Sequence, residues 1–310
     1  MKHIILGAGG AIGKTLTDEL LSDGRKVKLV SRRGYGSDGA ESARADLTDG
    51  ESLLAVLEDS ATVYLTAGLP YNLAVWKEQW PLIMNNVIEA CKRKNARLIF
   101  FDNVYMYGRV EGKMTEDTPY NPCSRKGEIR ARIAEYLMDQ AKRGEIKAAI
   151  ARAADFYGPY SEKVSLPYIF YFSRLAAGKK AQVLVDAEKK HSYTYTGDCG
   201  RALYLLAESD KAYNQVWHLP TAAPSLTSRE FIGIIAHNLG VEPNYSTFKK
   251  WMVKMAGLFD KQTKEVYEML YQNRYDYVFD STKFERSFDF KPISYEKGIG
   301  ETVKFYKLKA

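Results

Sequence analysis

The chain opens with a short apolar run, Ile4-Ile5-Leu6, that leads at once into three glycines spaced three apart, Gly7, Gly10 and Gly13. Leu16, Leu20 and Leu21 follow at helical spacing. This order predicts a strand, a glycine-rich turn and a helix. The first glycine permits a tight turn, and the second lets the backbone approach a pyrophosphate. The third lets helix and strand pack closely, and Ala11 and Ile12 begin a helix whose free N–H groups face the anion. Glycines also punctuate ordinary turns, so the spacing alone says little. Its place between a strand and a helix is what points to a bound dinucleotide.

The second strand, Val27–Val30, ends in Ser31-Arg32-Arg33. A site for NAD usually carries Asp or Glu about 20 residues past the glycines, to hold the ribose 2′-hydroxyl. Arg32 stands there instead, with no acid beside it. A carboxylate would repel a 2′-phosphate, whereas a guanidinium grips it with charge-assisted hydrogen bonds and Ser31 adds a hydroxyl. NADP(H) is therefore expected in preference to NAD(H), with Arg32 and Arg33 on the phosphate.

With 310 residues, 45 % of them hydrophobic, the chain can form one large α/β domain or two smaller ones. No apolar stretch approaches the 18 residues of a membrane-spanning helix, and Ile4–Leu6 is too short for the core of a signal peptide. The net charge of +7 is spread over short basic runs with acids between them and no recognition motif. No nucleic-acid or membrane partner is expected, and the charge fits attraction for an anionic cofactor and an anionic small-molecule substrate. Cys91, Cys123 and Cys199 form no C-x-x-C pair and no metal-ligand spacing with the four histidines. Free thiols in a reducing cytoplasm, and no metal, are the expectation.

Strand-like and helix-like runs then alternate: helix 50–57, strand 62–66, helix 76–92, strand 97–101, helix 127–141 and strand 147–151. Such alternation predicts a doubly wound parallel sheet covered on both faces, with ligands at the carboxyl ends of its strands. Beyond Tyr157-Gly158-Pro159 the pattern loosens. Strands at 183–185, 193–195 and 216–219 and helices at 228–239, 247–258 and 263–272 are expected, with a strand at 277–279 and a closing helix. Residues 1–154 and about 191–219 would form the dinucleotide-binding core. Residues about 155–190 and 220–310 would form a smaller mixed lobe on the substrate side.

Taken in order, these pieces resemble the extended short-chain dehydrogenase/reductase superfamily, in its sugar-nucleotide epimerase/dehydratase branch. Gly7-x-x-Gly10-x-x-Gly13 has that branch's spacing. Asp46-Leu47 matches the pair that contacts adenine, and Ala67-Gly68 the turn after the fourth strand. Met106-Tyr107-Gly108, Phe156-Tyr157-Gly158-Pro159, the segment from His191 to Asp198, and Asp280-Ser-Thr-Lys283 match later landmarks. The resemblance implies a Rossmann fold, an NAD(P) cofactor and a homodimer.

The catalytic pair departs from that pattern. Where the family has Pro-x-x-Pro-x-Ser-x-Tyr-Gly-x-x-Lys, this chain has Pro119-x-x-Pro122-x-Ser124-x-Lys126-Gly127-x-x-Arg130. The family's tyrosine exchanges a proton while nicotinamide exchanges hydride, and its lysine lowers the tyrosine pKa. Lys126 and Arg130 keep the one-turn spacing, so both are expected to face the nicotinamide ribose and substrate. Lys126, beside Arg130 and partly desolvated, would act as acid or base. Asn103 replaces the Ser/Thr that helps bind the carbonyl, and Tyr105 stands where the dehydratases carry an acid/base Glu. Arg152 and later basic residues would hold an anionic group such as a diphosphate. The expected function is that of an atypical NAD(P)-dependent epimerase/dehydratase-like or reductase-like enzyme. The alternative is an NADP(H)-binding sensor or scaffold without turnover.

Overall fold

A computed structural model describes residues 2–308, apart from the Gln262 side chain. In the first half, β1 (Lys2–Leu6), α1 (Ala11–Ser22), β2 (Lys26–Ser31), β3 (Glu41–Arg44), α2 (Gly50–Val56), β4 (Thr62–Leu65), α3 (Leu73–Arg93) and β5 (Arg97–Asp102) follow one another. The short β6 (Lys113–Met114), α4 (Arg125–Lys142) and β7 (Ala148–Arg152) come next. The second half contains β8 (Asp155–Tyr157), α5 (Ser173–Ala176), β9 (Ala181–Leu184), β10 (Lys190–His191), β11 (Tyr193–Tyr195), α6 (Thr196–Glu208) and β12 (Val216–His218). It closes with β13 (Leu226–Thr227), α7 (Ser228–Leu239), β14 (Tyr245–Phe248), α8 (Lys250–Ala256), α9 (Lys261–Tyr267), α10 (Tyr271–Arg274), β15 (Val278–Phe279), α11 (Thr282–Phe288) and α12 (Tyr295–Phe305).

Seven strands form one parallel sheet in the order β12-β7-β5-β4-β1-β2-β3. Side chains of a strand alternate between faces, so a strand covered on both sides must be apolar throughout. Ile4 and Leu6 of β1 pack with α2, α3 and α4, while Ile5 packs with α1, α6 and α11. In β5, Leu98 and Phe100 join the first group and Ile99 the second. The strand order reverses between β1 and β4, and there the carboxyl ends of the strands leave the crevice that α/β sheets use for ligands.

The second half differs from expectation in detail. Residues 245–248 form β14, paired with β9, and do not begin a helix. The helix expected at 263–272 is two short ones, α9 and α10, with Asp260 capping α9 through the Thr263 N–H. Tyr157, Tyr171, Phe172, Tyr193 and Phe231 form a third core beside α7 and α12. β11 lies beside β8, outside the large sheet, and α11 packs into the core of that sheet through Phe284.

Candidate active site

The cofactor side begins where β1 ends. Gly7 has φ +88°, a conformation open to glycine, and a Cβ there would fall into the Ala67 backbone after β4. A Cβ on Gly13 would lie 2.8 Å from Ala8 Cα, so the start of α1 can sit this close to the loop only without one. Gly10 caps α1 and is exposed, with no side-chain cap on the turn. The first amides of α1, from Ala11, Ile12 and Gly13, therefore face out of the helix end, where the helix field favours an anion. Gly68 is exposed beside this opening.

Ser31 ends β2, and its Oγ accepts from the Tyr35 N–H at 2.7 Å, which leaves its own proton to donate. Arg32 and Arg33 are both exposed just beyond. Asp46 accepts from the Thr48 N–H and hydroxyl, which hold its carboxyl below the usual range, and the Arg32 charge adds to this. Leu47 is buried beside it. Gly7, Gly10, Gly13, Ala67 and Gly68 thus meet at the switch point, with Ser31, Arg32 and Asp46 at the neighbouring strand ends.

The chemistry side begins where β5 ends. Asp102 is buried and accepts from the Asn103 N–H at 2.8 Å and from Arg130 Nε at 2.7 Å. Asn103 Oδ1 accepts from the Tyr105 N–H at 3.0 Å and fixes the single turn 105–107, which leaves its amide N–H₂ to donate elsewhere. The Tyr105 ring lies nearly parallel to Trp76 with centroids 6.3 Å apart, and Tyr71 neighbours its phenol. Burial, followed by the Asp155 charge, pushes the Tyr105 phenol well up from its ordinary value. At neutral pH it is a proton donor, not a phenolate.

Lys126 and Arg130 rise from the first turns of α4, which Ser124 caps by accepting from the Gly127 N–H. They diverge. Arg130 turns inward to Asp102, and its guanidinium lies 4.3 Å from the Trp80 ring centroid. Lys126 turns toward the C-terminal segment and is 0 % exposed. Its Nζ donates to the Glu265 carboxylate, to Glu268 Oε1 at 2.9 Å and to the Glu265 carbonyl at 3.1 Å, and lies 4.7 Å from the Tyr71 ring centroid. Its charged neighbours are therefore carboxylates of the α9 region, where the sequence suggested the Arg130 cation.

Arg152 was expected to meet a substrate anion, but it is fully buried. It donates to Tyr107 Oη at 2.6 Å and to the Tyr120 hydroxyl, with Asp102 Oδ2 at 3.6 Å from its Nε. Cys123 is exposed, and partial desolvation of its thiol pushes the pKa up, which suits a bystander. Among the described residues no group of His, Cys, Asp and Glu could hold a metal ion.

Several residues escaped the sequence reading, Asp102 and Tyr71 among them. Glu265 and Glu268, three apart at the end of α9, close over Lys126. His191 Nε2 lies 2.9 Å from Asp155 Oδ2, with its ring stacked on Tyr277 at 4.4 Å. Asp155 is also among the charges that raise the phenols of Tyr71, Tyr105, Tyr271 and Tyr277, after burial, which dominates. The i, i+3 spacing of the two glutamates was a signal for one helix face, but nothing in it named the partner.

The family model for the NAD dependent epimerase/dehydratase family matches residues 3–218. The chain belongs to that family. A UDP-glucose 4-epimerase of Mycolicibacterium smegmatis is 24 % identical over 335 aligned positions, covering 100 % of both chains. A dTDP-glucose 4,6-dehydratase of Mycobacterium tuberculosis is 26 % identical over 52 % of this chain and 55 % of its own. Among solved structures, the Thermus thermophilus UDP-glucose 4-epimerase in complex with NAD has a TM-score of 0.80 at 19 % identity, covering 99 % of both chains. The Bacillus anthracis dTDP-glucose 4,6-dehydratase with NAD has a TM-score of 0.81 at 18 % identity, over 99 % of this chain and 96 % of the other. The family member described here has the family's fold, and its relatives are epimerases, dehydratases and reductases, so it is an NAD(P)-dependent enzyme of this kind. The glycine loop and strand ends above fit a dinucleotide: the open helix end and the space over Gly10 would hold a pyrophosphate. When bound, the nicotinamide supplies hydride chemistry.

Proposed function

We propose that the enzyme uses NADP(H) to interconvert a carbonyl and a hydroxyl group on a small molecule, a nucleotide sugar being the class its relatives' names suggest. In this proposal Lys126 stands in for the missing tyrosine. The observation that carries it is the placement of Lys126. By the sequence resemblance it takes the place of the family's tyrosine, and it is enclosed between α4, the α9 carboxylates and Tyr71, which neighbours Tyr105. An ammonium in that place donates a proton to a developing alkoxide when the substrate oxygen displaces one of its three present acceptors, and the amine so formed takes the proton back in the reverse direction, with Glu265 and Glu268 favouring the charged form. The Tyr105 phenol and the Asn103 amide supply further donors for the same oxygen. Arg130 and Arg152 act behind them by fixing Asp102 at the end of β5. Preference for NADP(H) follows from exposed Arg32 and Arg33 with Ser31 at the ribose end.

The test is a screen of nucleotide sugars and small carbonyl compounds for NADPH consumption, repeated with Lys126→Ala. Turnover is expected to fall about 10²–10⁴-fold, the usual contribution of an acid/base group, with cofactor affinity changed far less. A parent protein that binds NADPH yet turns over none of these compounds would favour the sensor reading. A Lys126→Ala protein that loses only cofactor affinity would assign the lysine to binding.

A further inference from the structure

Most large apolar side chains of the molecule are covered, but four that are not lie together. Trp251 is 67 % exposed, Met255 52 %, Leu258 70 % and Phe259 89 %. Trp251, Met255 and Leu258 are spaced i, i+4 and i+7, one stripe along α8 and the turn after it, and Phe259 extends the stripe. The other side of this hairpin is covered: Val253 is buried, Gly257 lies against the Lys264 backbone of α9, and Glu265 of α9 holds Lys126 of α4. The apolar stripe therefore points away from the body, and no other part of the described chain covers it.

The charge around the stripe has one sign. Residues 249–264 contain Lys249, Lys250, Lys254, Lys261 and Lys264 against a single acid, Asp260. All five lysines are exposed, and among the described residues none has a carboxylate within ion-pair distance. Asp260 is turned to the α9 cap. Aromatic and aliphatic side chains on one face of a hairpin that also carries five exposed lysines without carboxylate partners, Lys250 lying over the Tyr267 ring, suit a surface that is apolar in depth and anionic at its rim. A bilayer containing anionic lipid has that layering. Trp and Phe settle at the headgroup level, and each lysine adds attraction to the negative surface.

We propose that the α8–α9 hairpin docks the enzyme on anionic membrane surfaces, with Trp251, Met255, Leu258 and Phe259 entering the headgroup region and the five lysines facing lipid phosphates. The contact is peripheral. No helix among the described residues is long and apolar enough to cross a membrane, and the expectation of no membrane partner, drawn from that criterion and from the scattered basic runs, did not see that Lys249–Lys264 share a hairpin with an exposed apolar stripe. Because α9 also carries Glu265, which clasps Lys126, the docked surface would lie beside the substrate side of the cleft.

The test uses the full chain with phosphatidylcholine vesicles, with and without phosphatidylglycerol. Trp76, Trp80 and Trp217 are buried, so Trp251 reports contact through its fluorescence. The expected result is co-sedimentation with the anionic vesicles and a blue shift of emission, at least about tenfold weaker on neutral vesicles and reduced by added salt. Leu258→Ser with Phe259→Ser should lower binding about tenfold or more, since each removes a large inserted side chain. Trp251→Phe should keep the sedimentation and lose the spectral change. Circular dichroism and NADPH titration of the variants confirm that these exposed substitutions leave the fold in place. Failure to sediment with anionic vesicles would overturn the proposal. So would binding that the Leu258 and Phe259 substitutions leave unchanged, or a parent dimer that these substitutions convert to monomer, which would make a second copy the occupant.

Discussion

Single residues in this site divide cleanly between holding the fold and meeting a ligand. Gly7 and Gly10 belong to one motif but fail differently when changed. At Gly7 the backbone has φ +88° and a Cβ would meet the Ala67 backbone, so Gly7→Ala should destabilise the fold by more than about 1 kcal/mol, measured by urea unfolding. At Gly10, φ is −78° and a Cβ would pass 3.3 Å from the Gly7 carbonyl, a contact the exposed loop can relax. Gly10→Val should therefore leave unfolding nearly unchanged and abolish nucleotide binding in a calorimetric titration. Normal binding by this variant would show that the phosphate does not pass over the loop. His218 is a residue of the first kind. Its Nδ1–H donates to the Asp280 carbonyl at 2.9 Å, so Nε2 accepts from Tyr107 Oη at 2.7 Å, which in turn accepts from Arg152. Burial, then the Arg152 charge, lowers its pKa to about 3. The folded value lies below the unfolded one, so this contribution is complete above the unfolded pKa of about 6.5 and is lost as pH falls toward 3. Each pH unit within that window costs about 1.4 kcal/mol per such histidine. Between pH 7 and pH 5 the parent should lose about 1–2 kcal/mol more stability than His218→Gln, and equal losses would contradict the assignment.

At the scale of elements, the two halves of the molecule were unequally legible. The dinucleotide half was readable because burial on both faces forces continuous apolar strands, and because the glycine spacing marks one strand–turn–helix junction. α7 was read with its observed limits, 228–239, since Thr227 and Glu230 form a capping box and Gly240 closes it in the left-handed conformation. β3 was not read as a strand, because Glu41–Arg44 is an edge strand with exposed side chains and carries no apolar alternation. The candidate site was half legible for a related reason. Spacing places Lys126 and Arg130 on one face of α4, but cannot show that Glu265, 139 residues away, meets the first while Asp102 takes the second. That tertiary contact has its own expected consequence. Glu265→Gln with Glu268→Gln leaves an enclosed ammonium with neutral partners only, so stability should fall by about 1–3 kcal/mol. Lys126→Met in the same background should recover part of the loss, as seen in thermal unfolding. Full additivity of the three substitutions would show that the clasp does not couple α9 to α4.

Across the whole molecule, the proposed cofactor cleft at the β1/β4 reversal faces a proposed substrate side closed by α9 and the tyrosines around Asp155. Both halves must meet at the nicotinamide. At the far end of the cofactor, Arg32→Asp should remove or reverse a preference for NADP(H) that one charge-assisted phosphate contact, about 1.5–3 kcal/mol, makes roughly tenfold or more. The most direct test is the crystal structure of the parent protein grown with NADP⁺. The account predicts the pyrophosphate over Gly10 at the start of α1, the 2′-phosphate on Arg32, and the nicotinamide ribose in contact with Lys126, with Tyr105 on the side of the reacting carbon. A nicotinamide bound away from β5 and α4, with Lys126 still enclosed by Glu265 and Glu268 and touching no part of the cofactor, would contradict it.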